Sequence, residues 1–386
     1  MNPLSPDIVS VLARDVYDVR LSDDTTMVGA SVGEWRDSFN PPSRITGTSG
    51  ALLRSRTGFG IVATGKGQRS GEALIAVRGT ASLADGVTDA HCGIQSGPSG
   101  TAVHAGFNQT FKSLKGQLDD FFNHAGNSSI RRVHCVGHSL GGALATLVAD
   151  YCRERRLDAS LYTFGSPRVG FYPFTSNLTR SLGQEKIYRV YHNNDPVSMV
   201  PLFPFVHVPA SGQVIMLPGN YSAYDFASHS MQNYVSDVSG TQWRSLKVAA
   251  TNWLDRLDAE VRRWLDSGDR STLAKYSGNV TWFLSKALLY VIKLALGLFG
   301  IGMQTLITTG FTLLDTLVWL LERAAGISAE IGGFLGRILS TLLSMLGRVV
   351  SGTVQITATV LRFVIQFLFT TLASQVNRAI NWVHSR

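Results

Sequence analysis

The chain has 386 residues, which predicts two or three domains of about 150 residues each. Charged residues make up only 16% of it and hydrophobic residues 45%, and so little charge excludes a solvated, disordered chain. The net charge is +8, of which +6 lies in residues 272–386, with nine Lys or Arg and three Asp or Glu. A basic and apolar segment of this kind favours an anionic lipid surface over nucleic acid as its partner.

The first twenty residues have no basic stretch followed by an apolar one, and they predict a short amphipathic helix. We therefore expect synthesis in the cytoplasm without a cleaved signal peptide, and any export by a different route. The three cysteines, Cys92, Cys135 and Cys152, are widely spaced, which predicts buried thiols and neither a disulfide framework nor a zinc site. The nine histidines are dispersed and no HExxH or CxxC motif occurs, so we expect no metal or other cofactor.

Residues 51–234 alternate short apolar runs with amphipathic stretches, which is typical of an α/β domain. Buried strands are predicted at 73–77, 133–136, 161–164 and 187–191. Helices are predicted at 107–122 and 140–155. Strands and helices that alternate with short connections predict a mostly parallel sheet with helices on both faces.

The C-terminal part of the chain has a different pattern. Residues 242–266 carry apolar side chains every three or four positions with charges between them, which predicts an amphipathic helix. Beyond it, residues 294–314 form a run of 21 without a charge, long enough to cross a hydrocarbon core of about 30 Å. We expect glycines to break this tail into several helices; they stand at positions 297, 300, 302, 326, 332, 333 and 336.

Nine charged residues of the tail fall within an arc of roughly 100° if the helical phase is kept. They are Lys275, Lys286, Lys293, Asp315, Glu322, Glu330, Arg337, Arg348 and Arg362. Each helix of the tail then has a narrow charged stripe and a broad apolar surface. Two membrane-bound arrangements agree with this pattern: inserted helices whose stripes face each other or water, and helices that lie in the interface. An apolar helical bundle that packs on the preceding domain is the open alternative.

The segment Gly137-His138-Ser139-Leu140-Gly141 fits the pattern G-x-S-x-G and lies between a predicted strand and a predicted helix. A serine on such a sharp turn has an exposed hydroxyl, and the flanking glycines let strand and helix approach closely. The helix that begins after Ser139 also favours negative charge at its N-terminus. The pattern predicts that Ser139 is a nucleophile.

A serine nucleophile requires a base and an orienting acid, and in this arrangement the acid and then the base follow the serine along the chain. Asp195 is the first acid after a predicted strand, which favours it as the orienting acid. Three histidines follow as candidate bases. His192 is very close to Asp195 in sequence and His207 lies in a strand-like stretch, so His229, ahead of a predicted helix, is the favoured base.

These features and several others resemble the class 3 lipase family, the α/β-hydrolase lipases that include the fungal triacylglycerol lipases. The resemblance covers about residues 51–240. The further motifs that carry it are Arg78-Gly79-Thr80 with Asp85 and Asp89, Val103-His104-Ala105-Gly106-Phe107, Phe164-Gly165-Ser166-Pro167-Arg168-Val169-Gly170, Asn194-Asp195-Pro196-Val197 with Val200-Pro201, and His229 with Tyr234.

The resemblance implies an α/β-hydrolase fold with Ser139 as nucleophile, Asp195 as orienting acid and His229 as base. It also implies that Thr80 and Leu140 form the oxyanion hole, which agrees with the need for one N–H after the nucleophile and another from an earlier loop. Residues 81–89 correspond to the lid of the fungal relatives. They contain few large apolar residues, and Gly86 stands where the family usually has Trp, so activation by lid opening at an interface is not expected. His104 and Arg78 also lie in family motifs, and a structural role is favoured for both.

The sequence therefore predicts three regions: a class 3 lipase-like catalytic domain at 1–240, an amphipathic linker helix at 241–271, and an apolar, basic, all-α membrane-associating region at 272–386. The predicted function is a serine lipase or phospholipase that acts on membrane glycerolipids. A lipase with such a tail and no signal peptide also resembles bacterial lipase effectors, which implies an immunity protein and a contact-dependent secretion machinery as partners. The alternative is a membrane-permeabilising or scaffold protein in which the C-terminal helices are the active part.

Overall fold

A computed structural model of the chain describes residues 3–20, 33–49, 55–79, 93–201, 205–212, 214–218, 226–276, 280–299, 313–347 and 354–384. The chain divides into two compact units. One comprises residues 1–218, 226–251 and 376–386, and the other comprises residues 219–225 and 252–375.

The first unit is built on a sheet that is mostly parallel. In chain order its described strands are β1 (Ser43–Ser49), β2 (Ser55–Thr64), β3 (Glu72–Val77), β4 (Ile94–Ser96), β5 (Ala102–His104), β6 (Arg132–His138), β7 (Asp158–Phe164), β8 (Ile187–His192) and β9 (Ile215–Leu217). Seven of them form one sheet in the order β1-β2-β3-β6-β7-β8-β9, and β4 pairs with β5 separately. The pairs from β3 to β9 are parallel, whereas β1, β2 and β3 pair antiparallel.

In the described part of this unit the α-helices are α1 (Pro6–Asp15), α2 (Gly33–Ser38), α3 (Ala105–Asn123), α4 (Leu140–Glu154), α5 (Tyr172–Leu182), α6 (Met231–Val238) and the first part of α7 (Trp243–Ser267), and residues 376–384 add the end of the last helix of the chain. The four predicted strands lie within β3, β6, β7 and β8, and the two predicted helices correspond to α3 and α4. The predicted fold class, a mostly parallel α/β sheet followed by a helical C-terminal region, is confirmed.

The continuous apolar runs become the central strands because a parallel sheet covered by helices buries both faces of each strand. All six residues of β3 are buried. The side chains of Leu74, Ala76 and Val136 share one core cluster with residues of α1 and α6, and α4 packs against β6 and β7.

The N-terminal helix is confirmed and is part of this core. Ser5 caps α1 by accepting a hydrogen bond from the Ile8 N–H at 3.2 Å. Just before it, the Leu4 N–H donates to the Tyr162 hydroxyl at 3.1 Å, and the Leu4 carbonyl accepts from the Trp243 indole N–H at 2.8 Å. Cys135 and Cys152 are buried free thiols, as predicted, and Cys92 lies outside the described residues.

The second unit contains the rest of α7, then α8 (Arg270–Lys275), α9 (Val280–Leu298), α10 (Leu313–Ile327), α11 (Ala329–Met345) and most of α12 (Ala358–His384). Gly332, Gly333 and Gly336 lie inside α11, so the expectation that they break the helix is wrong. A glycine costs a helix only about 1 kcal/mol, and the buried side chains of this helix, Ile331, Phe334, Leu335, Ile338, Leu339 and Leu342, offset that cost.

Several charged residues of the predicted stripe pair between helices of this unit. Arg262 of α7 contacts the Glu330 carboxylate of α11 at 2.6 Å, and Arg362 of α12 pairs with Asp315 of α10. The helices Val280–Leu298 and Ala358–Val383 are long and apolar enough to cross a membrane by length and composition.

Candidate active site

Ser139 stands at the turn between β6 and α4 with a backbone φ of 57°. This left-handed conformation is strained for a residue with a side chain and is typical of functional turns. The turn requires glycine on both sides of it. A Cβ on Gly137 would lie 2.2 Å from the Gly141 carbonyl oxygen, and a Cβ on Gly141 would lie 2.2 Å from the Val77 carbonyl oxygen.

The structure brings Ser139, His229 and Asp195 together. His229 Nε2 lies 2.7 Å from Ser139 Oγ, and His229 Nδ1 lies 2.8 Å from Asp195 Oδ2. His229 and Asp195 are fully buried, and Ser139 is only 1% exposed, so the expectation of an exposed hydroxyl at this turn is wrong. Because the Asp195 carboxylate accepts the Nδ1–H of a neutral His229 ring, Nε2 is left to accept the Ser139 hydroxyl proton. This is the arrangement that a serine nucleophile, a base and an orienting acid require.

The Asp195 carboxylate receives two further hydrogen bonds. The Val197 N–H donates to Oδ1 at 2.9 Å, and the Tyr234 hydroxyl donates to Oδ2 at 2.8 Å. Burial, and then the adjacent Asp195 charge, hold the pKa of Tyr234 well above its usual value, so this hydroxyl stays protonated and donates. These contacts hold the Asp195 carboxylate in one orientation, and the carboxylate in turn orients the His229 ring.

Gly165, directly after β7, packs closely against the side chains of Asp195 and His229. Its φ is 52°, and a Cβ there would lie 2.5 Å from Asp195 Oδ2 and 3.1 Å from His229 Nδ1. Only glycine adopts this positive φ without strain and has no Cβ to clash with Asp195 and His229. The glycine of the motif that begins at Phe164 therefore leaves room for these two side chains to contact each other.

The main chain at His229 is fixed by His138, the residue that precedes Ser139. The ring of His138 donates from Nε2 to the His229 carbonyl at 2.8 Å, and its Nδ1 accepts from the Tyr17 hydroxyl at 2.9 Å. Burial raises the pKa of Tyr17, so its hydroxyl remains a donor. Tyr17 follows α1, and no local pattern in the sequence indicated that this segment reaches the site.

The remaining candidate residues have structural contacts or lie outside the described residues. Leu140 is the first residue of α4, where a backbone N–H has no partner inside the helix. Arg78 donates to the Gly58 and Gly79 carbonyls at 2.5 and 2.7 Å. Thr80, Asp85, Asp89 and the whole of residues 81–89 lie outside the described residues.

Two of the other histidines hold backbone groups. His104 caps α3, where its Nδ1 accepts from the Gly106 N–H at 3.1 Å, and His207 donates from Nε2 to the Ser198 carbonyl at 2.8 Å. The structural role favoured for His104 agrees with this contact. In the part of the chain that the structure describes, no group of three or more His, Cys, Asp or Glu residues is placed to hold a metal ion.

Comparison with known proteins finds similarities for the central segment of the chain. Residues 74–205 match the family model of class 3 lipases. The secreted mono- and diacylglycerol lipase 1 of Fusarium solani is 34% identical over 161 residues, which are 40% of this chain and 47% of the relative. The toxin TseL of Vibrio cholerae is 35% identical over 104 residues, 26% of this chain and 15% of the toxin.

Among solved structures, the mono- and diacylglycerol lipase from Aspergillus oryzae covers 63% of this chain and 97% of its own, at 22% identity and a TM-score of 0.44. This chain spans about half the length of the curated fungal relatives it matches. The resemblance to the class 3 lipase family is confirmed over residues 74–205.

Proposed function

We propose that the protein is a serine hydrolase, a lipase or phospholipase A-like enzyme, that cleaves carboxylic esters of membrane glycerolipids through an acyl-enzyme intermediate. The observation that carries this proposal is the continuous hydrogen-bond chain from Ser139 Oγ through His229 to Asp195, with distances of 2.7 and 2.8 Å. The match of residues 74–205 to the family model of class 3 lipases supports an ester as the substrate.

In this mechanism Ser139 Oγ attacks the ester carbonyl carbon while His229 Nε2 takes the hydroxyl proton. The tetrahedral intermediate collapses, the carbon–oxygen bond to the leaving alcohol breaks, and His229 returns the proton to that alcohol oxygen. Water, deprotonated by His229, then attacks the acyl carbon, the bond from this carbon to Ser139 Oγ breaks, and His229 returns the proton to Oγ as the fatty acid leaves. Throughout, Asp195 holds the ring and stabilises its charged form.

The negative oxygen of the intermediate requires two N–H donors. Leu140 at the start of α4 supplies one, and Thr80, three positions after the end of β3 in the sequence, supplies the other by analogy with the family. The loss of one such donor typically lowers the rate by about 10²–10³.

Membrane lipid is favoured as the substrate because of the C-terminal helices. Two of them have the length and composition of membrane spans, and residues 272–386 carry +6 of the net charge of +8. Apolar helices with basic residues are attracted to anionic bilayers. We therefore infer that these helices keep the enzyme at a phospholipid surface in preference to a neutral oil droplet.

The similarity to a toxin supports a more specific role as an antibacterial effector. Such an effector has an immunity protein in its producer and uses a contact-dependent secretion machinery. Expression directed to the bacterial periplasm tests this role: wild type is expected to be toxic and Ser139→Ala harmless. If wild type is harmless there, the effector role is wrong.

The decisive experiment measures fatty-acid release and dye leakage from anionic phospholipid vesicles together. It compares wild type with Ser139→Ala, and with Ser181→Ala on the exposed side of α5 as a matched control. We expect both signals to vanish with Ser139→Ala and to persist with Ser181→Ala.

The other outcomes separate the alternatives. Leakage without fatty acid from Ser139→Ala would show that the C-terminal helices permeabilise membranes by themselves, which is the rival function. Cleavage of emulsified triacylglycerol with no action on phospholipid vesicles would exclude a membrane phospholipid as the substrate.

A further inference from the structure

His192 is the last residue of β8, and its side chain is 3% exposed. Both ring nitrogens have a partner. Nδ1 lies 2.6 Å from the Ser228 carbonyl oxygen, and Nε2 lies 2.7 Å from Asp237 Oδ2 of α6. The ring also stacks on Tyr234, with 4.1 Å between the centroids and 28° between the planes. The His192 ring is thus fixed by two hydrogen bonds and one stacking contact.

Both hydrogen-bond partners of this ring accept protons. A backbone carbonyl only accepts, and so does an ionised carboxylate, whereas a neutral imidazole has one N–H to give. Only the doubly protonated ring of His192 therefore donates to Ser228 and to Asp237 at once. His138 differs, because one of its partners, the Tyr17 hydroxyl, is itself a donor, and a neutral ring satisfies both contacts.

The contact with Ser228 acts on the catalytic base, because Ser228 directly precedes His229. The carbonyls of these two consecutive residues are each bound by a histidine ring: Ser228 by His192 and His229 by His138. The main chain that carries the base is thereby tied to the strand leading to Asp195 on one side and to the turn of Ser139 on the other.

We propose that His192 is a positioning residue: as a cation paired with Asp237, it fixes the Ser228 carbonyl and so sets the distance of His229 from Ser139 and Asp195. The inference rests on the proposed serine hydrolase function. The titratable groups in contact with the ring, Asp237 and Tyr234, both come from α6, and the Tyr234 hydroxyl leads on to Asp195. The Asp237 side chain is 48% exposed, so the pair of His192 and Asp237 can exchange protons with the solvent.

Kinetics with a soluble p-nitrophenyl butyrate substrate tests the proposal in the full-length protein. His192→Phe keeps the stacking on Tyr234 and removes both hydrogen bonds. We expect its kcat to fall between about tenfold and a hundredfold with little change in KM, because a misplaced base slows the chemical step. His124→Phe, at an exposed histidine outside the site, is the matched control and should leave both constants unchanged.

Substitutions of Asp237 separate positioning from mere stability. In Asp237→Asn the amide N–H donates to Nε2 of a neutral ring, so the contact with Ser228 survives. We expect wild type to lose kcat at alkaline pH, where the His192 ring gives up one of its two protons, and we expect Asp237→Asn to show no such loss. Asp237→Leu removes the partner and should lower kcat at all pH values. Equal pH profiles for wild type and Asp237→Asn would overturn the proposal.

Nitrogen-15 NMR of histidine-labelled protein gives a readout that does not depend on activity. The His192 signals, assigned from their absence in His192→Phe, should show two protonated ring nitrogens at neutral pH in wild type and one in Asp237→Asn. A neutral ring in wild type would refute the cationic pair. If the protein has no esterase activity but the His192 ring is doubly protonated, the proposed function is wrong, whereas the ion pair of His192 with Asp237 is confirmed.

Discussion

The Tyr234 hydroxyl donates to Asp195 Oδ2 at 2.8 Å, the same oxygen that accepts from His229 Nδ1 at 2.8 Å. The Tyr234 hydroxyl oxygen in turn accepts a hydrogen bond from the backbone N–H of His192 at 3.0 Å. Tyr234 thus connects the acid to the end of β8, and the sequence motif that paired His229 with Tyr234 has a physical basis in this contact. The side chains of His229 and Tyr234 thus share a single carboxylate oxygen of Asp195.

Tyr234→Phe is expected to weaken both catalysis and stability. It removes one donor from a buried carboxylate, and a hydrogen bond to a charged group contributes about 1.5–3 kcal/mol. We expect the free energy of unfolding to fall by about that amount and kcat to fall about tenfold, since a freer Asp195 holds the His229 ring less well. Denaturant unfolding and ester hydrolysis measure the two effects. Tyr172→Phe on α5 is the control, and equal losses in both variants would contradict the assignment.

Gly165→Ala should inactivate the protein by displacing the acid. The new methyl group would lie 2.5 Å from Asp195 Oδ2, on a backbone with φ of 52°. Gly67 is a matched control, because it has a similar φ of 58° and nothing within 4 Å of an added Cβ. Each substitution costs about 1 kcal/mol in backbone strain, but only Gly165→Ala should lower kcat, by about a hundredfold. Loss of activity in Gly67→Ala to the same degree would show that strain alone is responsible.

The parts of the fold that were predicted from sequence have strong local patterns. The run at 73–77 is apolar throughout and is buried as β3, and the strand–serine–helix pattern identified the turn at Ser139. The first two strands were missed because β1 and β2 carry polar residues and glycines in place of a continuous apolar run. Their glycines are required by close contacts, and a Cβ on Gly60 would lie 2.2 Å from the Ala76 carbonyl.

Local sequence patterns did not predict contacts between residues that are far apart in the sequence. The Tyr17 hydroxyl meets His138 across 121 positions, and His192 meets Asp237 across 45. His192 was set aside as a base because it is close to Asp195 in sequence, and only the fold reveals its contact with the carbonyl next to His229. Long-range hydrogen bonds depend on which strands become neighbours in the sheet. No single segment of the sequence carries the information that determines this strand order.

Glu72 should make stability depend on acid pH. Burial raises the pKa of its carboxyl, but hydrogen bonds from His134, Arg69 and Arg132 outweigh this and lower it from 4.5 to about 2. The native state therefore keeps the charge in a pH range where the unfolded chain has taken up a proton. The stabilisation from this carboxylate is complete above about pH 4.5 and is lost as the pH falls towards about 2.

Unfolding of wild type and Glu72→Gln at neutral pH and at about pH 3 measures this contribution. We expect the variant to be less stable by about 2 kcal/mol at neutral pH, and the difference between the two proteins to shrink at the lower pH. Glu185→Gln, at an exposed glutamate, should show no such trend. A difference that is independent of pH would mean that the hydrogen-bond cluster acts through packing and not through charge.

Trp319 of α10 offers a local probe of the proposed lipid contact. It is 47% exposed, stacks on Phe299 and has the Arg323 guanidinium 5.8 Å from its ring, a combination that suits the boundary between headgroups and acyl chains. In a Ser139→Ala background, brominated anionic phospholipid vesicles should quench the tryptophan fluorescence. The quenching should be smaller in Trp319→Phe and unchanged in Trp264→Phe, because Trp264 is 1% exposed. It should weaken with added salt, which screens the attraction between basic residues and anionic lipid. Equal quenching of Trp319→Phe and the parent would show that the exposed face of α10 does not contact lipid.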